Sequence, residues 1–406
     1  MTNLPQGWEW KSLGEICFIT DGTHKTPNYI ETGIPFLSVK NISKGFFDLS
    51  DVKYISLEEH NKLIKRAKPE FGDILICRIG TLGKAIKISL EFEFSIFVSL
   101  GLLKPKVKII SDYLVYFLNS CFIEEWINDN KVGGGTHTAK LNLNILEKCP
   151  IALPPLKEQE RIVGILDENF AKIDENIKIL EQDLLNLDEL MQSALQKAFN
   201  PLKDNAKENY KLPQGWEWKS LGEIANTSSG GTPSRNKKEY WENGNIKWLK
   251  SGELNDGYID FIEENITEEA IKNSSAKIFQ KGTLLIAMYG ATAGKLGILN
   301  LDSTTNQAIC AFLHKDKNIK FLEKFLFYFL FFLRDKIIKD SFGGAQPNIN
   351  QTYIKNLQIP LPPIKEQEQI ASHLDELSSH VKNLKQNYQA QIKDLQELKN
   401  SLLDKA

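Results

Sequence analysis

The feature that most constrains this chain is an internal repeat with an offset of 208 residues. The segment LPQGWEWKSLGEI at residues 4–16 occurs again, unchanged, at residues 212–224. At the same offset, LPPLKEQERIVGILDE (153–168) corresponds to LPPIKEQEQIASHLDE (361–376). Coincidence does not produce thirteen identical residues, so the chain contains one structural unit written twice. Its 406 residues fit two globular domains with connecting segments.

Between these repeated ends the two halves diverge but keep a common skeleton. Residues 71–76 (FGDILI) precede a turn with Gly80, Gly83 and Lys84, and residues 281–286 (KGTLLI) precede a turn with Gly290, Gly294 and Lys295. Short β-rich runs alternate with turn signals and with helix-like stretches. Each divergent block therefore predicts a mixed α/β domain.

A heptad pattern follows each Pro-Pro pair. Apolar residues recur at alternating steps of three and four, which is the spacing of a coiled-coil seam. A helix of about 40 residues is roughly 60 Å long at 1.5 Å per residue, and such a seam requires a partner. We expect the two copies to pack together, antiparallel, at these positions: Phe170, Ile173, Ile177, Leu180, Leu184, Leu187, Met191, Leu374, Val381, Leu384, Tyr388, Ile392, Leu395 and Leu402.

The predicted fold class is α+β. It consists of two mixed α/β domains separated by two long helices that pack as an antiparallel coiled coil, with an internal pseudo-two-fold repeat. The expected boundaries are 1–152 for the first domain, 153–200 for the central helix, 201–360 for the second domain and 361–406 for the C-terminal helix.

Composition excludes several classes of protein. The five cysteines form no CxxC pair and have no histidine at ligand spacing, so neither a zinc site nor a disulfide framework is expected. The longest apolar run, at 325–333, has nine residues, against the roughly 20 that span a bilayer. No secretory signal is recognisable at the N-terminus. The sequence is typical of a cytoplasmic protein without a membrane role.

Charge alone does not identify a nucleic-acid-binding protein, because the formal net charge is −2. The excess of acidic over basic residues is concentrated in residues 154–199, which carry a net charge of −5. The two larger blocks are neutral to mildly basic.

No catalytic motif is recognisable. The stretch from Gly290 to Lys295 is one residue short of a phosphate-binding loop and continues with Leu296 where that motif needs Ser or Thr. A turn between strands, with a lysine able to reach a DNA phosphate, is the better interpretation. There is no methyltransferase signature, and the six histidines are scattered. We therefore expect no catalytic residues and no metal ligands in this chain.

Three loop regions are candidates for DNA contact, because they combine turns with side chains that can reach base edges or phosphates. Ordinary surface turns are the competing interpretation of all three. The first region contains Thr23, His24, Lys25 and Thr26 and, in the second half, Ser234, Arg235, Lys237 and Lys238. The second, at the glycine turns, contains Arg78, Lys84, Tyr289 and Lys295. The third contains Thr136, His137 and Lys140 and, in the second half, Gln346 and Asn348.

The repeated pairs Trp8/Trp10 and Trp216/Trp218 could stack on bases. Their identity in both halves, where the blocks between them diverge, favours packing at the junction between domain and helix.

In combination these motifs resemble the specificity subunits of type I restriction-modification enzymes. The resemblance rests on LPxGWEWxxLGEI and IxLPPxKEQxxI, each present twice, on DGTHKTPxY with GIPFL (21–37), on GGTPSR with EYW and GNIKWLKSGEL (230–254), and on GGAQPNINQ (343–351). It covers nearly the whole chain.

The resemblance implies two target-recognition domains that each read one half of a split, asymmetric DNA site, and paired helices that fix the unread gap. It also implies two methyltransferase subunits that modify adenine with S-adenosylmethionine, and two ATP-driven restriction subunits. S-adenosylmethionine, ATP and Mg²⁺ are then bound by these partners, and no cofactor is expected in this chain.

Two hypotheses from other classes remain. The chain could be a self-sufficient DNA methyltransferase or nuclease with cryptic catalytic residues. It could also be a coiled-coil adaptor without a DNA role, which would explain the helices but not two elaborated α/β domains.

Overall fold

The computed structural model describes residues 4–134, 139–199, 212–315, 320–340 and 349–405. It divides into two compact units: unit 1 combines residues 1–181 with 389–406, and unit 2 spans 182–388. The predicted α+β class, with a repeated α/β unit and two long helices, is confirmed.

Unit 1 has a central four-stranded sheet, order β2-β8-β5-β6, beside a three-stranded sheet, order β4-β3-β7. The strands of unit 1 are β1 (Glu9–Ser12), β2 (Cys17–Asp21), β3 (Ile34–Leu37), β4 (Lys53–Ile55), β5 (Ile74–Cys77), β6 (Ala85–Lys87), β7 (Ser95–Ile96), β8 (Leu100–Pro105) and β9 (Pro150–Leu153). Its helices are α1 (Leu13–Ile16), α2 (Leu57–Leu63), α3 (Ser111–Leu118), α4 (Cys121–Asn130), α5 (Leu143–Leu146) and the first part of the long α6 (Leu156–Phe199), whose residues 182–199 belong to unit 2. A 3-10 turn lies at Val39–Asn41.

Unit 2 repeats this plan with one additional strand in each sheet, in the orders β11-β19-β16-β17-β13 and β14-β12-β18-β15. Its strands are β10 (Glu217–Ser220), β11 (Ala225–Ser229), β12 (Ile246–Leu249), β13 (Gly257–Ile259), β14 (Asn265–Ile266), β15 (Ile278–Phe279), β16 (Leu284–Ala287), β17 (Leu296–Leu299), β18 (Ser303–Thr305), β19 (Ile309–His314) and β20 (Gln358–Leu361). Its helices are α7 (Leu221–Ile224), α8 (Glu268–Lys272), α9 (Glu323–Lys339), α10 (Gln351–Asn356) and the first part of the long α11 (Ile364–Lys405), whose residues 389–405 belong to unit 1. The 3-10 turns lie at Lys238–Tyr240, Ser251–Glu253 and Gly290–Thr292.

The repeated sequences form the same junction in both units. β1 pairs antiparallel with β9, from Glu9 opposite Leu153 to Ser12 opposite Pro150. β10 and β20 pair in the equivalent register, from Glu217 opposite Leu361. Because these ribbons join the start of each domain to the strand that leads into the long helix, the identical sequences define where domain and helix meet.

A buried glutamine of the KEQ motif fastens each junction. Gln159 and Gln367 are each 1% exposed. The side chain of Gln159 donates to the Pro154 carbonyl (2.8 Å) and accepts from the Ile110 N–H (2.9 Å). Gln367 makes the same contacts with Pro362 (2.9 Å) and Leu322 (2.8 Å). Each amide thus satisfies backbone groups on both sides of the junction, which would be costly to bury unpaired.

A tyrosine–aspartate pair adds a second fastening in each unit. The Tyr116 hydroxyl of α3 donates to Asp167 of α6, and the Tyr328 hydroxyl of α9 donates to Asp375 of α11 (2.7 Å). Asp375 also pairs with Lys324. Burial and the neighbouring carboxylate raise the pKa of both tyrosines, so the hydroxyls stay protonated donors.

Within each unit, part of one long helix packs on part of the other. In unit 1, Leu395 and Leu402 of α11 join the cluster formed by Ile162, Leu166 and Phe170 of α6. In unit 2, Leu195 and Phe199 of α6 share a core with Ala371 and Leu374 of α11. The end of α11 therefore lies beside the start of α6, and the end of α6 beside the start of α11, which is the antiparallel arrangement.

Ion pairs flank the seam in both units. Lys399 pairs with Asp174 (2.7 Å) in unit 1, and Lys385 pairs with Asp188 in unit 2.

Among the seam positions, Leu384 is exceptional, because 39% of it is exposed. The others are buried (Phe170, Ile173, Leu187, Leu374 and Val381) or half-buried (Ile177, Leu180, Leu184, Met191, Tyr388, Ile392, Leu395 and Leu402).

Candidate nucleic-acid interface

In unit 1 the described segments that flank the three predicted contact loops meet at Arg78, directly after β5. Its guanidinium binds the Asp21 carboxylate at the end of β2, and its Nε donates to the Leu141 carbonyl (2.9 Å) after the third loop. The Leu141 N–H in turn donates to the Arg78 carbonyl (2.9 Å). Segments that are 57 and 63 residues distant along the chain are thereby held together.

Asp21 is the centre of this arrangement. It is 1% exposed and its carboxylate accepts from both Arg66 and Arg78, while His24 Nε2 lies 3.1 Å from Asp21 Oδ2. Burial alone would raise the pKa of this carboxyl, but the two guanidinium groups outweigh it and lower the pKa below its ordinary value. Asp21 is therefore ionised at neutral pH and compensates the buried charge of Arg78. Arg78 is 8% exposed, which favours holding the loops over direct DNA contact.

The first loop of unit 1 is pinned at its base and exposed at its tip. Gly22 lies so close to β7 that an added Cβ would stand 2.0 Å from the Ile96 carbonyl oxygen, so this approach requires glycine. The Thr23 N–H donates to the same carbonyl (3.1 Å). Beyond this anchor the side chains of His24, Lys25 and Thr26 are exposed.

The glycine turn between β5 and β6 is a strand–turn–strand device. The Cys77 N–H donates to the Lys84 carbonyl (2.9 Å), and the Gly83 N–H donates to the Cys77 carbonyl (2.9 Å). Gly80 and Gly83 have φ of 83° and 82°, the left-handed conformation that favours glycine. A phosphate-binding loop would lead into a helix, whereas this turn leads into a strand. Lys84 is half-buried beside Gly45.

The third loop of unit 1 is closed by Val132 and Lys140. Their backbones exchange two hydrogen bonds of 2.9 Å each, and Lys140 also forms a β-bridge with Ile79 of the glycine turn. The Lys140 side chain is exposed. Thr136 and His137 lie outside the described residues.

In unit 2 the corresponding first loop is held by aromatic side chains. Gly230 makes the same close approach as Gly22, since an added Cβ would stand 2.0 Å from the Thr305 carbonyl oxygen. The Trp248 indole N–H donates to the Gly231 carbonyl (3.0 Å), and the Trp241 indole N–H donates to the Ser234 carbonyl (3.1 Å). The two rings meet edge to face with centroids 5.0 Å apart.

Arg235 lies on this aromatic pair. Its guanidinium carbon is 3.6 Å from the centroid of Trp241, and its Nη1 is 2.6 Å from Glu264 Oε2. Lys250 shares that carboxylate at 2.7 Å. Partial burial alone would raise the pKa of Glu264, but the two cations lower it, so the carboxylate stays charged. The neighbouring Ser234, Lys237 and Lys238 are exposed.

The other unit 2 candidates occupy equivalent places. The backbone of Met288 has the role of Arg78: its N–H donates to the Ala308 carbonyl (2.7 Å), and its carbonyl accepts from the Ile349 N–H (2.9 Å). Tyr289 and Lys295, in the turn after β16, are exposed. Gln346 and Asn348 lie outside the described residues.

The repeated tryptophans divide into two pairs. Trp8 packs against the Tyr113–Phe170 cluster, and the Trp216 indole N–H donates to Glu366 at the start of α11 (2.6 Å). Both support the expected packing at the junction. The second pair differs between the units. The ring centroid of Trp10 lies 5.7 Å from that of Phe122, so Trp10 has an aromatic neighbour, whereas Trp218 is 54% exposed.

Sequence reasoning missed Arg66, Trp241, Trp248 and Glu264. Arg66 and Glu264 lie in segments without a motif, and their partners are 45 and 29 residues away along the chain. The two tryptophans lie in the motifs EYW and GNIKWL, which contribute to the family resemblance. Their closeness in the chain to GGTPSR was the sequence signal that could have indicated a contact with Arg235.

Among the residues that the structure describes, no group of three or more His, Cys, Asp or Glu side chains could hold a metal ion. In the same part of the chain, no helix is long and apolar enough to cross a membrane.

Comparison with known proteins agrees with this architecture. The chain is 27% identical over 428 aligned positions to the StySPI specificity subunit of Salmonella potsdam, covering 99% of this chain and 89% of that protein. It is 29% identical to the EcoR124I/EcoR124II specificity subunit of Escherichia coli over 64% of this chain and 63% of that protein.

Two solved structures share the fold. The HsdS subunit from Thermoanaerobacter tengcongensis aligns with a TM-score of 0.61 and 23% identity, covering 100% of this chain and 97% of the other. A chain from a structure of a type I R-M system, described in terms of complex assembly and conformational transition, aligns with a TM-score of 0.79 and 23% identity, covering 100% and 98%.

The family profile of the type I restriction modification DNA specificity domain matches this chain twice, at residues 5–183 and 213–394. The two matches follow the repeat and include both sets of candidate loops. The chain therefore belongs to the type I restriction-modification specificity subunits.

Proposed function

We propose that this chain is the non-catalytic, sequence-specific DNA-binding subunit of a type I restriction-modification complex, with each unit reading one half of a bipartite site. The observation that carries the proposal is that the described segments flanking the loops meet at equivalent places in both units. Arg78 joins Asp21 and Leu141 in unit 1, and in unit 2 Met288 binds Ile349 while Ser229 binds Gln351. The junction sequences are repeated, whereas the side chains at these places differ. Such a pair of readers suits an asymmetric site better than a palindrome.

The exposed cations at these loops support DNA as the ligand. Lys25 and Lys140 are exposed in unit 1, and Lys237, Lys238 and Lys295 in unit 2. Cationic side chains near a duplex gain affinity by releasing counterions from the phosphates. The acidic helix α6 would be a poor surface for DNA, which agrees with a scaffold role.

The long helices are proposed to set the unread gap and to dock two methyltransferase subunits, which would supply adenine methylation with S-adenosylmethionine. Two ATP-dependent restriction subunits would complete the complex. The fastening of both junctions by Gln159 and Gln367 supports this, because a spacer fixes a distance only if its ends are rigidly attached.

The proposal is tested with the chain co-purified with its methyltransferase. Selective binding of duplexes that carry one bipartite motif, and methylation of that motif only when both proteins are present, are expected. If the chain alone methylates or cuts DNA, it is an enzyme. If the complex binds no DNA selectively, the adaptor hypothesis replaces this one.

The spacer role has its own test. Insertion of one helical turn near Leu184, matched by one near Tyr388, is expected to change the gap between the methylated half-sites and to leave both half-sites intact. An unchanged gap would contradict the spacer role.

A further inference from the structure

Arginines at the loops of the two units are held in opposite ways. In unit 1 the side chain of Arg78 is 9% exposed, and its donors serve the Asp21 carboxylate and the carbonyls of Leu141 and Val98. This is the pattern of an arginine that holds a fold together.

Arg235 has the pattern of an arginine prepared for an external ligand. Its side chain is 51% exposed, and among the described residues its ion-pair partner is a single oxygen of Glu264. A guanidinium has five N–H donors in a planar fork. Most of these donors therefore have no acceptor on the described part of the protein, in contrast to Arg78.

The orientation of Arg235 is nevertheless fixed. Its guanidinium stacks at 3.6 Å on Trp241, and that ring donates to the carbonyl of Ser234, the residue directly before Arg235. Stacking on an indole restricts the plane of the guanidinium without using its in-plane N–H donors. Ligand binding then loses little side-chain entropy, which is the advantage of preorganisation.

The charges around Arg235 nearly balance. Glu264 is shared by Arg235 and Lys250, Lys238 pairs with Glu242 (4.0 Å), and further glutamates act on Lys237 and Lys250. The free N–H donors of Arg235, and not an excess of positive charge, therefore favour an acceptor-rich ligand.

We propose that Arg235 is the side chain of this loop that contacts DNA, and that Trp241 and Glu264 are positioning residues that hold its guanidinium. This inference rests on the proposed function and deepens it. The ligand is a pair of acceptors suited to a guanidinium fork, which on DNA are either two phosphate oxygens or the O6 and N7 atoms of a guanine.

The experiment uses the complex with its methyltransferase and measures affinity for the cognate duplex, for duplexes substituted at each base pair, and at several salt concentrations. Arg235→Ala is expected to weaken binding by about tenfold or more. The matched control is Lys272→Ala, at an exposed lysine of α8, and is expected to stay within about twofold of the unmodified complex.

The two DNA acceptors give different results. A phosphate contact predicts uniform loss across sequences, a shallower salt dependence by about one ion, and rescue by Arg235→Lys. A guanine contact predicts relaxed selectivity at one base pair of a single half-site, and no rescue by lysine.

Trp241→Leu tests the positioning role. It is expected to weaken binding, and the double variant with Arg235→Ala is expected to bind no more weakly than Arg235→Ala alone, because both changes remove the same contact. Additive losses would show that Trp241 acts independently of Arg235 and would contradict the positioning role. If Trp241→Leu does not fold, Glu264→Gln takes its place in this test. It removes the carboxylate charge that pairs with Arg235 but keeps a hydrogen-bond acceptor there.

The inference is overturned if the unmodified complex binds its site selectively and Arg235→Ala matches it within about twofold, with unchanged salt dependence and base preference. If the unmodified complex binds no DNA selectively, the proposed function fails first, and the inference fails with it.

Discussion

The two units differ most where their first loops are anchored and least where the domains join the long helices. In unit 1 the anchor is ionic, with Asp21 at the end of β2 and Arg78 after β5. Unit 2 has Ser229 and Met288 at these places, and its loop is held by Trp241 and Trp248. The same backbone fold thus holds its first loop with an ion pair in one unit and with tryptophan side chains in the other. The sequence of the loop can therefore change while the backbone fold stays the same.

The ionic anchor is expected to show the largest effect on stability. Asp21→Ser removes the carboxylate that compensates the buried charge of Arg78. Breaking a buried ion pair in this way costs about 3–5 kcal/mol of unfolding free energy. The double variant with Arg78→Met imports the residues of unit 2 and is expected to lose less than Asp21→Ser alone. Urea unfolding measures both.

The control for this comparison is Asp174→Ser, which removes an exposed ion pair with Lys399. It is expected to cost several times less than Asp21→Ser. If Asp21→Ser is equally mild, or if the double variant is the less stable of the two, the ionic anchor is not what distinguishes unit 1.

The junctions are expected to respond alike in the two units. Gln159→Ala and Gln367→Ala each remove a buried amide and leave backbone groups without partners, at a cost of about 1–3 kcal/mol. Gln369→Ala, at an exposed position two residues after Gln367, is the control and is expected to have little effect. Thermal unfolding tests this, and a large effect at only one of the two buried glutamines would contradict equivalent junctions.

The smallest expected effect is a gain. Gly164 lies inside α6, and apart from its chain neighbours and the adjacent backbone of its own helix no described atom lies within 4 Å of the position that a Cβ would take. Gly164→Ala is expected to stabilise the chain by about 0.5–1 kcal/mol through the lower flexibility of the unfolded state. Ser372 occupies the matching position of α11, and Ser372→Ala is expected to gain less. A loss at Gly164 would indicate a close contact at this helix surface.

The sequence predicted the frame because the frame is encoded locally and twice. The β1/β9 and β10/β20 ribbons, the helix starts after Pro155 and Pro363, and most seam positions follow from repeated motifs and from periodicity. Leu384 shows the limit of periodicity, since it fits the heptad pattern and is 39% exposed. A heptad position is buried only where the facing helix supplies a neighbour.

The anchoring of the loops could not be predicted in the same way. Arg78 was a candidate for DNA contact because it is basic and near glycines, but burial decides the role of an arginine, and burial depends on Asp21, 57 residues earlier. The stacking of Arg235 on Trp241 likewise depends on the path of the loop. Pairings of this kind are tertiary, and no spacing rule in the sequence encodes them.

The central claim is that each unit reads one half-site independently on a common frame. The most direct test is to exchange residues 17–150, which exclude the repeated junctions, for the corresponding block of a relative with a different target. Methyladenine mapping across the host genome is expected to show one changed half-site, the other half-site preserved and the same gap. A change in both half-sites, or in neither, would contradict the claim.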